Sequence, residues 1–132
     1  MTIVVVAAVI TDGDRFFITR RQRGVHLEGL WEFPGGKVDP HEAHVDALRR
    51  EIREELDADV EVRHLLLETT HTYPDRSVRL FFYDCGLIGT PRPMLGQEMR
   101  WVSREELPTL GFPPADDELI KVLVRLKPDT TY

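Results

Sequence analysis

The sequence predicts an α/β or α+β sandwich, a mixed β-sheet flanked by helices, and three observations carry that prediction. Short β-branched and apolar runs bounded by Gly, Pro and Asp recur along most of the chain. One segment in the middle, about His41 to Leu56, instead repeats Ala43, Ala47, Leu48, Ile52 and Leu56 at helical intervals with charges between them. A second helical spacing, Leu119, Ile120, Leu123, Val124 and Leu126, comes late in the chain. A length of 132 residues is enough for one domain, assigned to residues 1–127, with a frayed tail at 128–132.

The elements follow in order. Ile3 to Ile10 is a β-branched strand, Asp12-Gly13-Asp14 is a turn, and Phe16-Phe17-Ile18 returns as the second arm of a hairpin. The apolar start lacks a basic leader region, so it reads as a strand and not as a signal peptide. Arg20, Arg21 and Arg23 precede a loop with Gly24 and Gly29. Singly they are solubilising charge; beside a Gly-rich loop, planar guanidinium groups also suit phosphates. Leu30 to Phe33 is a short strand, and Pro34-Gly35-Gly36-Lys37 reads as a loop whose glycines turn tightly and bring a carbonyl near a ligand. After the central helix, Val60 to Thr72 is a long strand or a pair, Tyr73-Pro74-Asp75-Arg76 is a turn, and Val78 to Leu87 is a further strand. Gly86 to Gly96 is an irregular loop, and Glu98 to Val102 is a strand. Ser103 and Glu106 fit a capping box that opens a short helix ended by Pro108. Asp116, after Phe112-Pro113-Pro114-Ala115, stands in position to cap the last helix.

Composition narrows the function. With 42% hydrophobic and 30% charged residues the chain is an ordinary globular one, and a net charge of −6 argues against binding duplex nucleic acid through a basic surface. No apolar run approaches a membrane span. The single cysteine, Cys85, is compatible with a reducing cytoplasm and reads as a core residue. The expected partner is a small molecule, and the chain is expected to be a monomer or a homodimer.

The chemistry concentrates on the central helix. Glu51, Glu54 and Glu55 fall at i, i+3 and i+4, so their carboxylates converge on one side. Alone, that is a solvated helix face. Behind a Gly-Gly loop with a carbonyl to offer, it is also a site for Mg²⁺, which takes oxygen ligands from a few carboxylates and from substrate phosphates. Asp39 and Glu42 lie before or within the first turn, where negative charge suits a helix start.

In these residues the sequence resembles the Nudix hydrolases. Their signature is Gly, five residues, Glu, seven residues, Arg-Glu-apolar-any-Glu-Glu-any-Gly-apolar, and Gly36, Glu42, Arg50, Glu51, Ile52, Glu54 and Glu55 fit it in register. Asp57 stands where the family has Gly, and Ala58 is a small final apolar residue. The resemblance is closest to the MutT branch of triphosphate pyrophosphohydrolases, comprising 8-oxo-dGTP diphosphatases and similar CTP pyrophosphohydrolases. It extends through Ile18 to Arg21, His26, Trp31 to Lys37, Tyr73 to Arg76, Gly96 to Glu98 and Phe112 to Ala115.

The resemblance implies an αβα sandwich that hydrolyses nucleoside triphosphates to monophosphate and pyrophosphate with Mg²⁺, for which Mn²⁺ can substitute. It implies Gly35, Glu51, Glu54, Glu55 and Glu98 as metal ligands, with Arg50 orienting Glu51 and the general base among Glu51, Glu98 and Glu42. Arg21, His26 and Lys37 would meet phosphates; Phe33, Tyr73, Arg76 and Asp116 would line the nucleoside pocket. Asp116 replaces an Asn of bacterial MutT: an ionised Asp only accepts hydrogen bonds, which suits guanine N1–H and N2–H or the cytosine amino group. A proton shared with Asp117 would restore a donor. An oxidised or modified deoxynucleotide is the expected substrate; the alternatives are CTP or dCTP, a nucleotide sugar or dinucleotide such as ADP-ribose, and a non-catalytic nucleotide-binding module.

Overall fold

The computed structural model describes residues 1–125, so Leu126, expected in the last helix, and the expected tail lie outside the described residues. The hairpin forms between β1 (Thr2–Asp12) and β2 (Arg15–Arg20), with Ile10 opposite Phe17 and Asp12 opposite Arg15. Val6 to Ile10 are each at most 5% exposed, because β1 is central and covered on both faces. β3 (Trp31–Glu32) pairs with β2, and β7 (Met99–Ser103) pairs with β2 as well. β5 (Asp59–Tyr73) and β6 (Arg76–Ile88) form a hairpin across Pro74-Asp75, and β6 runs parallel to β1. β5 is one strand, not two, with register shifts at Val62/His64 and Leu65/Leu67. Order across the sheet is β3-β2-β1-β6-β5.

The alternation along β1 divides the core. Val6, Ala8 and Ile10 pack with Leu48, Ile52 and Leu56 of α1 (His44–Leu56), while Ala7 and Val9 pack on the other face with Leu119 and Leu123 of α2 (Asp117–Arg125). Helices therefore cover both faces of a mixed sheet, the expected sandwich.

Four local expectations are corrected. α1 begins three residues later than the apolar spacing, because His41 is left-handed at φ 65° and Ala43 is extended. Pro34 to Lys37 is not a loop: Gly35–Lys37 form β4, antiparallel to the middle of β1. The capping box forms, Ser103 N–H donating to Glu106 Oε1 at 3.0 Å and Glu106 N–H to Ser103 Oγ at 3.3 Å. It opens only a turn and a 3-10 helix, Leu107–Thr109, with Pro108 inside it, since proline cannot donate the bond an α-helix needs. Asp116 ends a 3-10 turn, Pro114–Asp116, and among the described residues its side chain makes no hydrogen bond to the helix it was expected to cap. Asp57 does take the left-handed position at the end of α1, at φ 50°, with its N–H donating to the Arg53 carbonyl at 3.0 Å.

Candidate active site

The site is built where β4 meets α1. Neither Gly35 nor Gly36 has a positive φ, so the pair is not there to turn the chain. It is there for close approach. A Cβ on Gly35 would lie 2.0 Å from the Val6 carbonyl oxygen, and one on Gly36 would lie 2.4 Å from Glu51 Cδ. In the antiparallel ladder Gly36 sits opposite Val6, and the Pro34 carbonyl and Val38 N–H bond to β1. Backbone polar groups alternate in direction, so those of Gly35 and Lys37 face away from β1. The Lys37 carbonyl accepts from Arg50 Nη2 at 3.1 Å on that side.

Arg50 organises the acids. Its Nε and Nη2 grip Glu42 in two bonds of 2.9 Å, and Nη1 donates to Glu51 at 2.9 Å. Glu42 also accepts from the Asp39 N–H at 2.9 Å, and these bonds, Arg50's first, hold its carboxyl at about 2. That makes Glu42 a poor proton acceptor and a good anchor for Arg50. Glu51 is raised from the usual carboxylate value by burial, opposed by Arg50. Glu55 is pushed up to about 8, by burial and then by the charges of Glu51 and Glu32, opposed by the Gly35 backbone N–H. Glu54 is exposed, with Arg50 Nη1 3.7 Å away. The three glutamates thus share one helix face, but only Glu51 and Glu55 turn inward.

Glu98 does not join them. It is exposed and bonded to Arg20 Nη1 at 3.3 Å, whereas its neighbour Gln97 is buried and bonded to the Glu55 carbonyl. Here the amide, and not the acid beside it, faces in.

A cavity of about 270 Å³ lies beside β4. Its lining combines Phe33, Tyr73 and Asp116 with Gly35, Gly36 and Lys37, and includes Arg21 and His26. Phe33 stacks on Phe112 at 5.3 Å and 21°. Asp116 is 7% exposed, and burial, then the charges of Glu32 and Asp117, push its carboxyl up to about 7. Arg76 does not line the cavity: its guanidinium sits 5.8 Å from the centre of the Tyr73 ring, and Tyr73 does line it. A second cavity of about 210 Å³ is lined by Arg20, Gln22, Glu55 and Gln97. Arg21 and Glu32, joined at 2.8 Å, line both cavities and form the wall between them.

Residues 5–122 match the family model of the NUDIX domain. The chain belongs to the Nudix family. Among relatives of this Nudix chain, an Escherichia coli 8-oxo-dGTP diphosphatase is 32% identical over 127 residues, covering 93% of this chain and 96% of that protein. A CTP pyrophosphohydrolase from Escherichia coli is also 32% identical, over 126 residues covering 95% and 93%. The solution structure of the E. coli ORF135 protein superposes with a TM-score of 0.80 at 33% identity, covering 92% of this chain and 86% of that one.

The donors of the Nudix box fit a hard divalent cation. Glu51, Glu54, Glu55 and the Gly35 carbonyl offer only oxygen, the donor type that Mg²⁺ takes, and the charges of Glu51 and Glu54 bear on Glu55 from the same helix face. Among the described residues no three acidic, His or Cys side chains are already gathered to ligate, because Glu51 is turned to Arg50 and Glu54 to solvent. Two side chains that border the site received no role from the sequence: Glu32 and Gln97 lie in the Trp31–Lys37 and Gly96–Glu98 stretches that carry the resemblance, but neither was singled out. No helix of the described residues is long and apolar enough to cross a membrane.

Proposed function

We propose that this Nudix chain is a Mg²⁺-dependent pyrophosphohydrolase. Its substrate is a nucleoside triphosphate with an oxidised or modified base, of the 8-oxo-dGTP type, split to monophosphate and pyrophosphate. The observation that carries the reading is one cavity whose lining joins the buried Asp116, Phe33 and Tyr73 to the glycine strand on which the glutamate helix packs.

The Gly35 carbonyl, Glu51, Glu54 and Glu55 would hold the metal, which neutralises phosphate charge and lowers the pKa of a bound water. Arg50 keeps Glu51 in place, and phosphoryl attack then needs positioning and charge more than a protein nucleophile. Lys37, Arg21 and His26 border the cavity where phosphates would run. Phe33 and Tyr73 give the base apolar walls, and Asp116 reads its edge. Near neutral pH Asp116 is divided between two forms: the acid donates and accepts on adjacent atoms, and the carboxylate only accepts.

Asp116 also supports a second reading, cytidine triphosphates. A carboxyl group accepts from the cytosine amino group and, when protonated, donates to the adjacent ring nitrogen; the CTP pyrophosphohydrolase relative is as similar as the 8-oxo-dGTP one.

A hydrolysis panel with Mg²⁺ tests both. It contains ordinary, oxidised and methylated ribo- and deoxynucleoside triphosphates plus ADP-ribose, with pyrophosphate and phosphate detected separately. Preference for 8-oxo-dGTP with pyrophosphate release supports the first reading, and preference for a cytidine nucleotide supports the second. No turnover of any triphosphate refutes both, in favour of a nucleotide-sugar hydrolase or a binding module.

A further inference from the structure

We propose that Gln97 is a positioning residue for the metal end of the site, fixing Glu55 through its main chain; this rests on the reading that the helix glutamates hold a divalent cation. Gln97 is 8% exposed, and a buried primary amide must place both its donor and acceptor atoms. Its Nε2 donates to the Glu55 carbonyl at 2.9 Å, and its Oε1 accepts the Leu95 N–H at 2.9 Å.

Those bonds close the last turn of α1. The final carbonyls of a helix have no partners within it, and an unsupported last turn frays. Here the loop after β6 supplies the partners: Met94 N–H also donates to the Glu55 carbonyl, at 3.1 Å, and Arg92 N–H donates to the Leu56 carbonyl at 2.7 Å. Gln22 Nε2 in turn donates to the Leu95 carbonyl. One clamp therefore runs from the arginine loop through Leu95 and Gln97 to Glu55, and all four residues line the second cavity.

The clamp acts on the acid that most needs it. Glu51 lies a full turn inside α1 and is held by Arg50, whereas Glu55 stands one residue from the helix end. Its carboxylate is the one set against Gly35. Freeing the last turn would move Glu55 and leave Glu51 in place, so the donor set would lose its geometry while the fold persists.

The test is Mn²⁺ binding by the full chain, read from loss of the free-ion electron paramagnetic resonance signal. The variants are Gln97→Ala, Gln97→Met, which keeps the volume and removes both bonds, and Ser103→Ala, which breaks the capping turn after β7. Both Gln97 variants are expected to raise the Mn²⁺ Kd about tenfold, or about 1.4 kcal/mol. The Mg²⁺ needed for half-maximal rate should rise with it, while the nucleotide KM at saturating Mg²⁺ stays within about twofold. Ser103→Ala should lower Tm and leave Mn²⁺ affinity unchanged. Wild-type affinity in Gln97→Met, an equal loss in Ser103→Ala, or failure of Gln97→Met to fold would each overturn the positioning role. A wild-type chain that binds no Mn²⁺ would overturn the metal reading itself, and this inference with it.

Discussion

Gly36→Ala separates the two parts played by the glycine pair. The added Cβ would stand 2.4 Å from Glu51 Cδ and 2.6 and 2.7 Å from its oxygens. Carbon atoms in contact sit about 3.5 Å apart, so the carboxyl must retreat by about 1 Å. A side-chain tip can do that, and the cost to stability is about 1 kcal/mol, the low end for overpacking. In a chain of this size that is a Tm change of about 4 °C. The retreat breaks the 2.9 Å bond from Arg50. A misplacement of about 1 Å in a catalytic constellation costs about 10²-fold in rate. Gly35→Ala meets backbone instead, the Val6 oxygen at 2.0 Å and Ala7 Cα at 2.8 Å, so β4 must leave β1. It should lose about 3 kcal/mol or more of stability. Pyrophosphate release at saturating Mg²⁺, with Tm for each variant, distinguishes them. A Gly36→Ala protein within about threefold of wild-type rate would refute the reasoning about Glu51. One as unstable as Gly35→Ala would refute the claim that only a side chain must move.

Arg50→Lys should lower kcat by about 10- to 100-fold, because one ammonium cannot replace a fork that holds Glu42, Glu51 and the Lys37 carbonyl together. The same change weakens an acid-side contribution to stability. Glu42 is depressed to about 2, so its contribution is present above its ordinary value of 4.5 and lost as pH falls from there towards 2, and the variant's acid limb should be flatter in a Tm-against-pH series. Asp116 has the opposite sign. Raised to about 7, it favours folding below its ordinary 3.8, and that advantage is lost as pH rises from there through 7, so Asp116→Asn should gain Tm relative to wild type as pH rises from about 4 to 7 and hold that gain above. The variant should also change base preference in the hydrolysis panel. Glu54→Gln, at an exposed position, should keep wild-type Tm and abolish turnover; full activity would remove Glu54 from the metal set.

The fold was legible wherever a residue's neighbours in sequence are also its neighbours in space. The hairpin of β1 and β2, the face of α1 and the Pro74-Asp75 turn are all of this kind. β4 was hidden because Gly-Gly reads as a turn until its partner is known; only β1 beneath it and Glu51 above it explain two residues without side chains. The acid helix could be read from spacing, since i, i+3 and i+4 fix a common face. What spacing does not give is which way each carboxylate turns, and burial and Arg50 decided that. The resemblance points to Glu98, yet it is the adjacent Gln97 whose amide reaches Glu55. The resemblance puts Arg76 in the pocket lining, whereas its guanidinium stands over the ring of Tyr73, which lines it.

Charge balance bears on how the substrate arrives. The two cavities are bordered by Glu32, Glu55 and Asp116, with Glu51 against the Gly36 strand. The arginines are already engaged: Arg21 holds Glu32 at 2.8 Å, and Arg50 lies between Glu42 and Glu51, with Asp39 at 3.6 Å and Glu54 at 3.7 Å. A bare triphosphate would meet acids that either hold a proton, as the raised Glu55 and Asp116 carboxyls can near neutral pH, or repel it, like charges 4 Å apart at an effective dielectric near 20 repelling by about 4 kcal/mol per pair. Under the proposed function, divalent cations would therefore accompany the phosphate chain. A non-hydrolysable triphosphate should bind at least about 100-fold more weakly in EDTA than in excess Mg²⁺, by calorimetry. The difference should shrink for the corresponding nucleoside monophosphate, whose affinity would come mainly from Phe33, Tyr73 and Asp116. Equal triphosphate affinity with and without Mg²⁺ would refute this account of the site and favour a binding module that reads the base alone.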